Sequence, residues 1–267
     1  MMSMLVLSNV SKTFDVGTPL ETKVLRGINL KLAKGDYVTI IGGNGAGKST
    51  LMNIVAGTHI PETGTVSIAG IDVTNLQEHR RALYLGRVFQ DPMVGSASGM
   101  NIEENLALAY RRGKRRGFGW YISKKERALY RERLAVLELG LEDRLAEKVG
   151  LLSGGQRQAL ALIMATLREP HVLLLDEHTA ALDPKTAPKV LDIGNMIIEK
   201  FNLTTLMVTH NMKDAIRHGN RLIMMKEGQI ALDISGAEKQ SLTVESLIAK
   251  FSEVSGEDFS DDQALLG

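Results

Sequence analysis

The chain has 267 residues, 44% of them apolar and 24% charged, a balance ordinary for a globular fold in water. A chain of this size buries roughly 75% of its unfolded surface, enough for one large domain or two modest ones. Thirty-two basic residues against 31 acidic ones leave a net charge of +1, which argues against a dedicated polyanion binder, so no nucleic-acid partner is expected. Cysteine is absent, which excludes disulfides, thiolate zinc sites, iron–sulfur ligation and cysteine catalysis. The apolar start, residues 1–7, is short and lacks a basic flank or a cleavage site. No apolar run approaches the roughly 20 residues of a membrane helix. A soluble chain, or one held at a membrane by another protein, is expected.

In chain order, residues 4–32 read as short strands with turns. Tyr37–Ile41 is a short apolar run that stops at a glycine cluster, and a helical pattern follows over 48–56. Residues 64–73 return to strand and turn, which together with 4–32 predicts an antiparallel subdomain. From about 91 to 168 the strand signal fades. Helical patterns at 102–110, 124–139 and 154–168 predict a helical subdomain inserted into an α/β core. Residues 172–175 form a second apolar run, ending at Asp176-Glu177. A helical pattern over 184–201 and a third strand over 203–209 come next. Strand–helix alternation of this kind predicts a mostly parallel sheet with helices on both faces. Beyond about 235, Val244, Leu247, Ile248 and Phe251 share one helical face. The end, from Ser252, carries five acids and no base and is expected to be loosely ordered.

Gly42-Gly43-Asn44-Gly45-Ala46-Gly47-Lys48-Ser49-Thr50 matches G-x-x-x-x-G-K-[ST] in the right context, after a buried strand and before a helix. Glycines let the backbone wrap phosphates without a Cβ clash. The exposed N–H groups and the helix N-terminus favour negative charge. Lys48 suits the β- and γ-phosphates and the Ser49 hydroxyl suits Mg²⁺. Asp176, at the end of the second strand, is the candidate carboxylate for Mg²⁺. Glu177 beside it is the candidate to orient or deprotonate an attacking water. These features alone fit a kinase, a GTPase or a helicase as well.

Leu152-Ser153-Gly154-Gly155-Gln156 separates these classes, because it resembles the signature motif of ABC-type ATPases. The order of motifs fits too: phosphate loop, signature, then the Asp-Glu strand. Gln90 resembles the Q-loop glutamine, and Ala181-Leu182-Asp183 the D-loop. His210 resembles the switch histidine, and Phe14 the aromatic that stacks on adenine. The resemblance covers about residues 4–235. It implies a P-loop, RecA-like core with a mostly parallel sheet, an antiparallel β subdomain and the inserted helical subdomain. The ABC ATPase domain then spans 1–240, with 1–90 and 169–235 as core and β subdomain and 91–168 as helical subdomain, leaving 241–267 as C-terminal helix and acidic tail.

The same resemblance implies ATP and Mg²⁺ as ligands. Phe14, Gly42, Asn44, Gly45, Ala46, Gly47, Lys48, Ser49, Thr50 and Gln90 would hold the nucleotide. Ser153, Gly154, Gly155, Gln156 and Asp183 would close on it from a second protomer. Ser49, Gln90 and Asp176 would serve the metal, and Glu177, His210 and Lys48 the reaction. One residue departs from the family pattern: His178 stands where proline is usual, and it is expected to alter the local turn or to titrate near neutral pH.

One phosphate loop and one signature make half of a functional unit, so a homodimer is expected. With no spanning segment, transport requires separate integral-membrane permease subunits, with an extracytoplasmic binding protein acting through them. The chain would then sit on the cytoplasmic face of the membrane. A basic stretch, Arg111-Arg112-Gly113-Lys114-Arg115-Arg116, precedes Trp120-Tyr121 and Lys124-Lys125. It reads either as a solvated loop or as a contact for anionic lipid or an acidic partner. This insert and the residues around His178 resemble a bacterial subgroup proposed to import amino acids such as tryptophan. An exporter or lipoprotein-release ATPase, or an ABC ATPase outside transport, remains the alternative.

Overall fold

The computed structural model describes residues 3–113 and 122–255. β1 (Ser3–Phe14) and β2 (Thr22–Ala33) form a long antiparallel hairpin, with Leu5 opposite Leu32 and Phe14 opposite Thr22. Ile28, Leu30 and Leu32 point inward while Asn29 and Lys31 stay outside, the alternation a one-sided sheet demands. β3 (Tyr37–Ile41) is buried along its whole length and runs through the glycine loop into α1 (Lys48–Ala56). β4 (Thr63–Ile68) and β5 (Ile71–Asp72) complete a four-stranded antiparallel sheet in the order β2-β1-β4-β5.

After α2 (Glu78–Arg81) and β6 (Leu85–Val88), the chain leaves the sheet. It forms α3 (Ile102–Tyr110), α4 (Lys124–Ala135) and α5 (Gly154–Thr166), then returns as β7 (Val172–Asp176). α6 (Ala187–Lys200), β8 (Thr205–Val208), α7 (Met212–Arg217), β9 (Arg221–Lys226) and β10 (Gln229–Ser235) follow. α8 (Gly236–Gln240) and α9 (Val244–Ser255) end the described chain. The second sheet has the order β10-β9-β3-β8-β7-β6, parallel except for β10. This mixed α/β architecture, with one parallel and one antiparallel sheet, is the P-loop NTPase fold expected.

α1 lies between the two sheets, where Leu51, Ile54 and Val55 meet Leu5, Leu25, Ile40 and Leu174. The opposite face of the parallel sheet carries Leu173, Leu175 and Met207 against α3, α5 and α6. Leu247 and Phe251 of α9 pack with Met212, Leu222 and Ile234, so the apolar face expected for that helix is spent on its own chain.

Element ends differ from the sequence reading where special backbone intervenes. α4 stops at Ala135, with Glu138 and Gly140 both at positive φ just beyond. α6 starts at Ala187 because Asp183 first turns the chain, its Oδ1 accepting from the N–H groups of Lys185 and Thr186. The β9–β10 hairpin was not expected. Its signal is Glu227-Gly228 between two apolar runs, both residues at positive φ as a two-residue hairpin turn requires. The acidic tail from 256 and the basic residues Lys114, Arg115 and Arg116, with Trp120 and Tyr121, lie outside the described residues.

Candidate nucleotide site

The parallel strands β3, β7 and β8 all deliver their C-terminal ends to one edge, where α/β sheets bind ligands. The glycine loop follows β3. Gly47 sits at φ 97° immediately before α1, and a Cβ there would meet Leu25 Cδ2 at 2.7 Å and the Val24 carbonyl at 2.9 Å. Only glycine suits this position, on both counts. Asn44, Gly45 and Ser49 form the exposed rim, while Gly42, Ala46 and Lys48 are buried and Thr50 half-buried. Lys48 Nζ donates to the carbonyls of Gly42 at 2.6 Å and Gly43 at 3.1 Å, so the ammonium lies inside the loop's own curve.

At the neighbouring strand ends, Asp176 closes β7 and Glu177 turns sharply at φ 43°, its N–H donating to the Val208 carbonyl of β8 at 3.0 Å. This turn faces Glu177 toward the segment after β8, and His210 Nδ1 comes within 3.6 Å of Glu177 Oε2. The two residues assigned to water activation therefore lie side by side. A partner of Asp176 that the sequence reading missed is Arg87 of β6, whose Nη2 donates to Asp176 Oδ2 at 2.8 Å. A lone cation inside the short strand Leu85-Gly86-Arg87-Val88 was the available signal.

His178 corrects one expectation. It is buried, its Nε2 has no hydrogen-bond partner, and it lies near Gly194 of α6. Burial, with the nearby His218 adding, pushes its pKa down to about 4. The ring is therefore neutral at pH 7 and does not titrate there.

Ser153 caps α5: its hydroxyl accepts from the Gln156 N–H at 3.3 Å, and the Gln156 side chain accepts from the Ser153 N–H at 3.1 Å. A Cβ on Gly155 would come within 2.2 Å of Thr186 Cγ2, and one on Gly154 within 3.4 Å of Leu182 Cδ2. Gly155 thus lets the start of α5 pack against the segment holding Asp183, while at Gly154 a side chain would meet only ordinary contact. Hydrogen bonds from the Thr186 side chain and the following N–H groups hold the Asp183 carboxyl below its usual range. Gln90 stands exposed just past β6, and Gln158 of α5 anchors the preceding residue by donating to the Phe89 carbonyl at 3.0 Å. Phe14 is half-buried at the end of β1, edge-on to His59 with ring centres 5.3 Å apart. It is not a core aromatic.

Of the basic stretch, Arg111 is bound within the fold. It bridges Glu126, the residue that completes the capping box of α4, with Nη2–Oε1 at 3.0 Å. The Arg112 carbonyl accepts from Arg168.

Ser49, Asp176 and Gln90 offer hard oxygen donors, which suit Mg²⁺. Among the described residues no group of three His, Cys, Asp or Glu side chains is placed to hold a metal by itself. Such a sparse set fits a cation whose remaining ligands are phosphate oxygens and water.

The profile of the ABC transporter family matches residues 25–180. A tyrosine transport ATP-binding protein of Clostridioides difficile is 43% identical over 248 residues, covering 93% of this chain and 98% of that protein. The chain belongs to the ABC transporter ATP-binding family. It is an ATPase subunit of a transporter, and no described helix is long and apolar enough to cross a membrane. An energy-coupling factor transporter ATP-binding protein of Streptococcus pyogenes is 36% identical over 250 residues, 91% of this chain and 85% of that one. Among solved structures, the dimeric ATP-binding cassette MJ0796 bound to ADP and Pi superposes with a TM-score of 0.72 at 31% identity, covering 87% of this chain and 98% of that one. The cassette MJ1267 in its ADP conformation gives a TM-score of 0.74 at 26% identity over 95% of this chain and 99% of that one.

Proposed function

We propose that two copies of this chain close head to tail around ATP, and that closure drives separate permease subunits to import an amino acid of the tyrosine kind. The observation that carries the ATPase half is the meeting of Glu177 and His210, 3.6 Å apart at the ends of β7 and β8, next to the strand β3 that leads into the loop and Lys48. In this reading the loop amides and Lys48 hold the phosphates and Phe14 stacks on the base. Glu177 takes the proton from the attacking water, and His210 keeps that carboxylate and the γ-phosphate aligned. Ser49, Gln90 and Asp176 would hold Mg²⁺, which would supply charge neutralisation for the phosphates. Ser153 and Gly155 of the second copy meet the same γ-phosphate, so nucleotide completes the interface.

The import half is supported by the tyrosine transport relative. The permease surface assigned here is the cavity of about 440 Å³ beside Gln90, lined by Arg87, Val94, Leu108 and Met164. Val94 and Leu108 are exposed there, apolar side chains suited to a partner helix. The subunit would then be peripheral on the cytoplasmic face, with an extracytoplasmic binding protein delivering the solute to the permease.

Proteoliposomes carrying this chain and a membrane protein that co-purifies with it test the reading. ATP-driven uptake of tyrosine, lost in Glu177→Gln, is expected. Co-purification with a non-membrane scaffold and no membrane partner would contradict it. ATP-driven uptake of a solute that is not an amino acid would contradict the substrate half of the reading.

A further inference from the structure

Arg87 is the single charge within β6, the edge strand of the parallel sheet. It stands in register with Leu174 of β7, and its side chain runs on past that residue to Asp176. The guanidinium also lies 4.7 Å from the Phe89 ring centre, while its Nε has no acceptor. The two side chains are only 11% and 18% exposed. An ion pair this sheltered is screened far less than a surface pair, so its charge is felt by whatever else binds the carboxylate.

We propose that Arg87 is a positioning residue for Asp176: it orients the carboxylate and, by neutralising it, lowers its pull on Mg²⁺. The subunit then binds the cation firmly only when ATP phosphates add their own charge. A carboxylate with a guanidinium on one oxygen attracts a dication less than a bare one does, because the two cations repel across it. The free Nε and the single Nη2 contact leave the guanidinium incompletely tied, so it yields when phosphate and cation arrive together. Sequence marks Arg87 as a lone cation in an apolar strand but does not name its partner, because the two residues lie on strands joined through the whole helical insertion.

The inference depends on the assignment of Asp176 to Mg²⁺, and the test separates the two. Mn²⁺ binding to the full chain is measured by electron paramagnetic resonance, with and without a non-hydrolysable ATP analogue. The chains compared are wild type, Arg87→Gln, Arg87→Lys and Asp176→Asn. Arg87→Gln is expected to bind Mn²⁺ about 3- to 10-fold more tightly, the lower part of the range for a neighbouring charge. Arg87→Lys, which keeps the charge, is expected to stay near wild type. Asp176→Asn is expected to bind at least about tenfold more weakly.

Unchanged or weaker binding in Arg87→Gln, with Asp176→Asn impaired, overturns the role of Arg87 alone. Unchanged binding in Asp176→Asn overturns the metal assignment itself. Should Arg87→Gln not fold, Arg87→Met keeps an apolar stem against Phe89 and carries the same expectation and the same contrary result.

Discussion

Lys48 and His178 show how differently two buried ionisable groups serve one site. Lys48 already sits against the carbonyls of its own loop, so an incoming phosphate meets a preplaced cation. Lys48→Ala is expected to weaken ATP binding at least about tenfold and to abolish turnover, because it removes the main positive charge on the phosphates. Fluorescent-nucleotide titration measures this, and unchanged affinity would contradict the phosphate-loop assignment. His178 is neutral in the fold, with its pKa near 4 against an ordinary value of 6.5. As pH falls from about 6.5 to 4, the unfolded chain takes up a proton there that the folded chain refuses, so stability falls over that window and is unaffected above it. The loss approaches about 3 kcal/mol by pH 4. Denaturation of His178→Leu across this range is expected to show a shallower acid slope than wild type, and an identical slope would contradict the buried-neutral assignment. The phosphate loop was legible because its chemistry is local to nine consecutive residues. The state of His178 was not, since it depends on α6 and His218 packed over it.

At the scale of elements, α1 is fixed at both ends. Its N-terminus opens on the phosphate loop, and its C-terminus is capped from elsewhere in the chain. Arg81, fully buried, donates to the carbonyls of Ile54 and Val55 at the end of α1 and to those of Leu76 and Thr74. A cation at a helix C-terminus also offsets the helix dipole. Arg81→Met is expected to cost about 3 kcal/mol, since several carbonyls lose their donor away from water. Urea denaturation checks this, and a loss below about 1 kcal/mol would show that water takes over the capping. β3 and β7 could be read as continuous apolar runs covered on both faces, and α1 and α5 as helical patterns opening on the phosphate loop and the signature. The β9–β10 hairpin escaped because the eight apolar residues of β9 and β10 carry no alternation sharp enough to stand out, and its turn lacks the usual Asn or Asp. The pairing of Arg87 with Asp176 escaped because register between β6 and β7 is set by the fold, and no spacing in the chain encodes it.

At the scale of the molecule, one chain carries a phosphate-binding face and, on the inserted helices, a separate signature face. In MJ0796, a relative of known structure, two cassettes form a dimer with ADP and Pi. In the proposed function this chain also pairs, ATP joins the two faces, and Glu177 releases them by activating water. Glu177→Gln keeps the size and most of the hydrogen bonding of the carboxylate but removes its basicity, so hydrolysis should fall roughly 10²- to 10⁴-fold. Lys48, Ser49, Asp176 and the signature donors are untouched, so ATP should still draw two copies together. The most direct measurement is light scattering of Glu177→Gln with Mg-ATP. A stable dimer, present with ATP and absent with ADP, while wild type dimerises only transiently, is the result expected. A variant that stays monomeric with ATP, or hydrolyses it at the wild-type rate, would contradict the account.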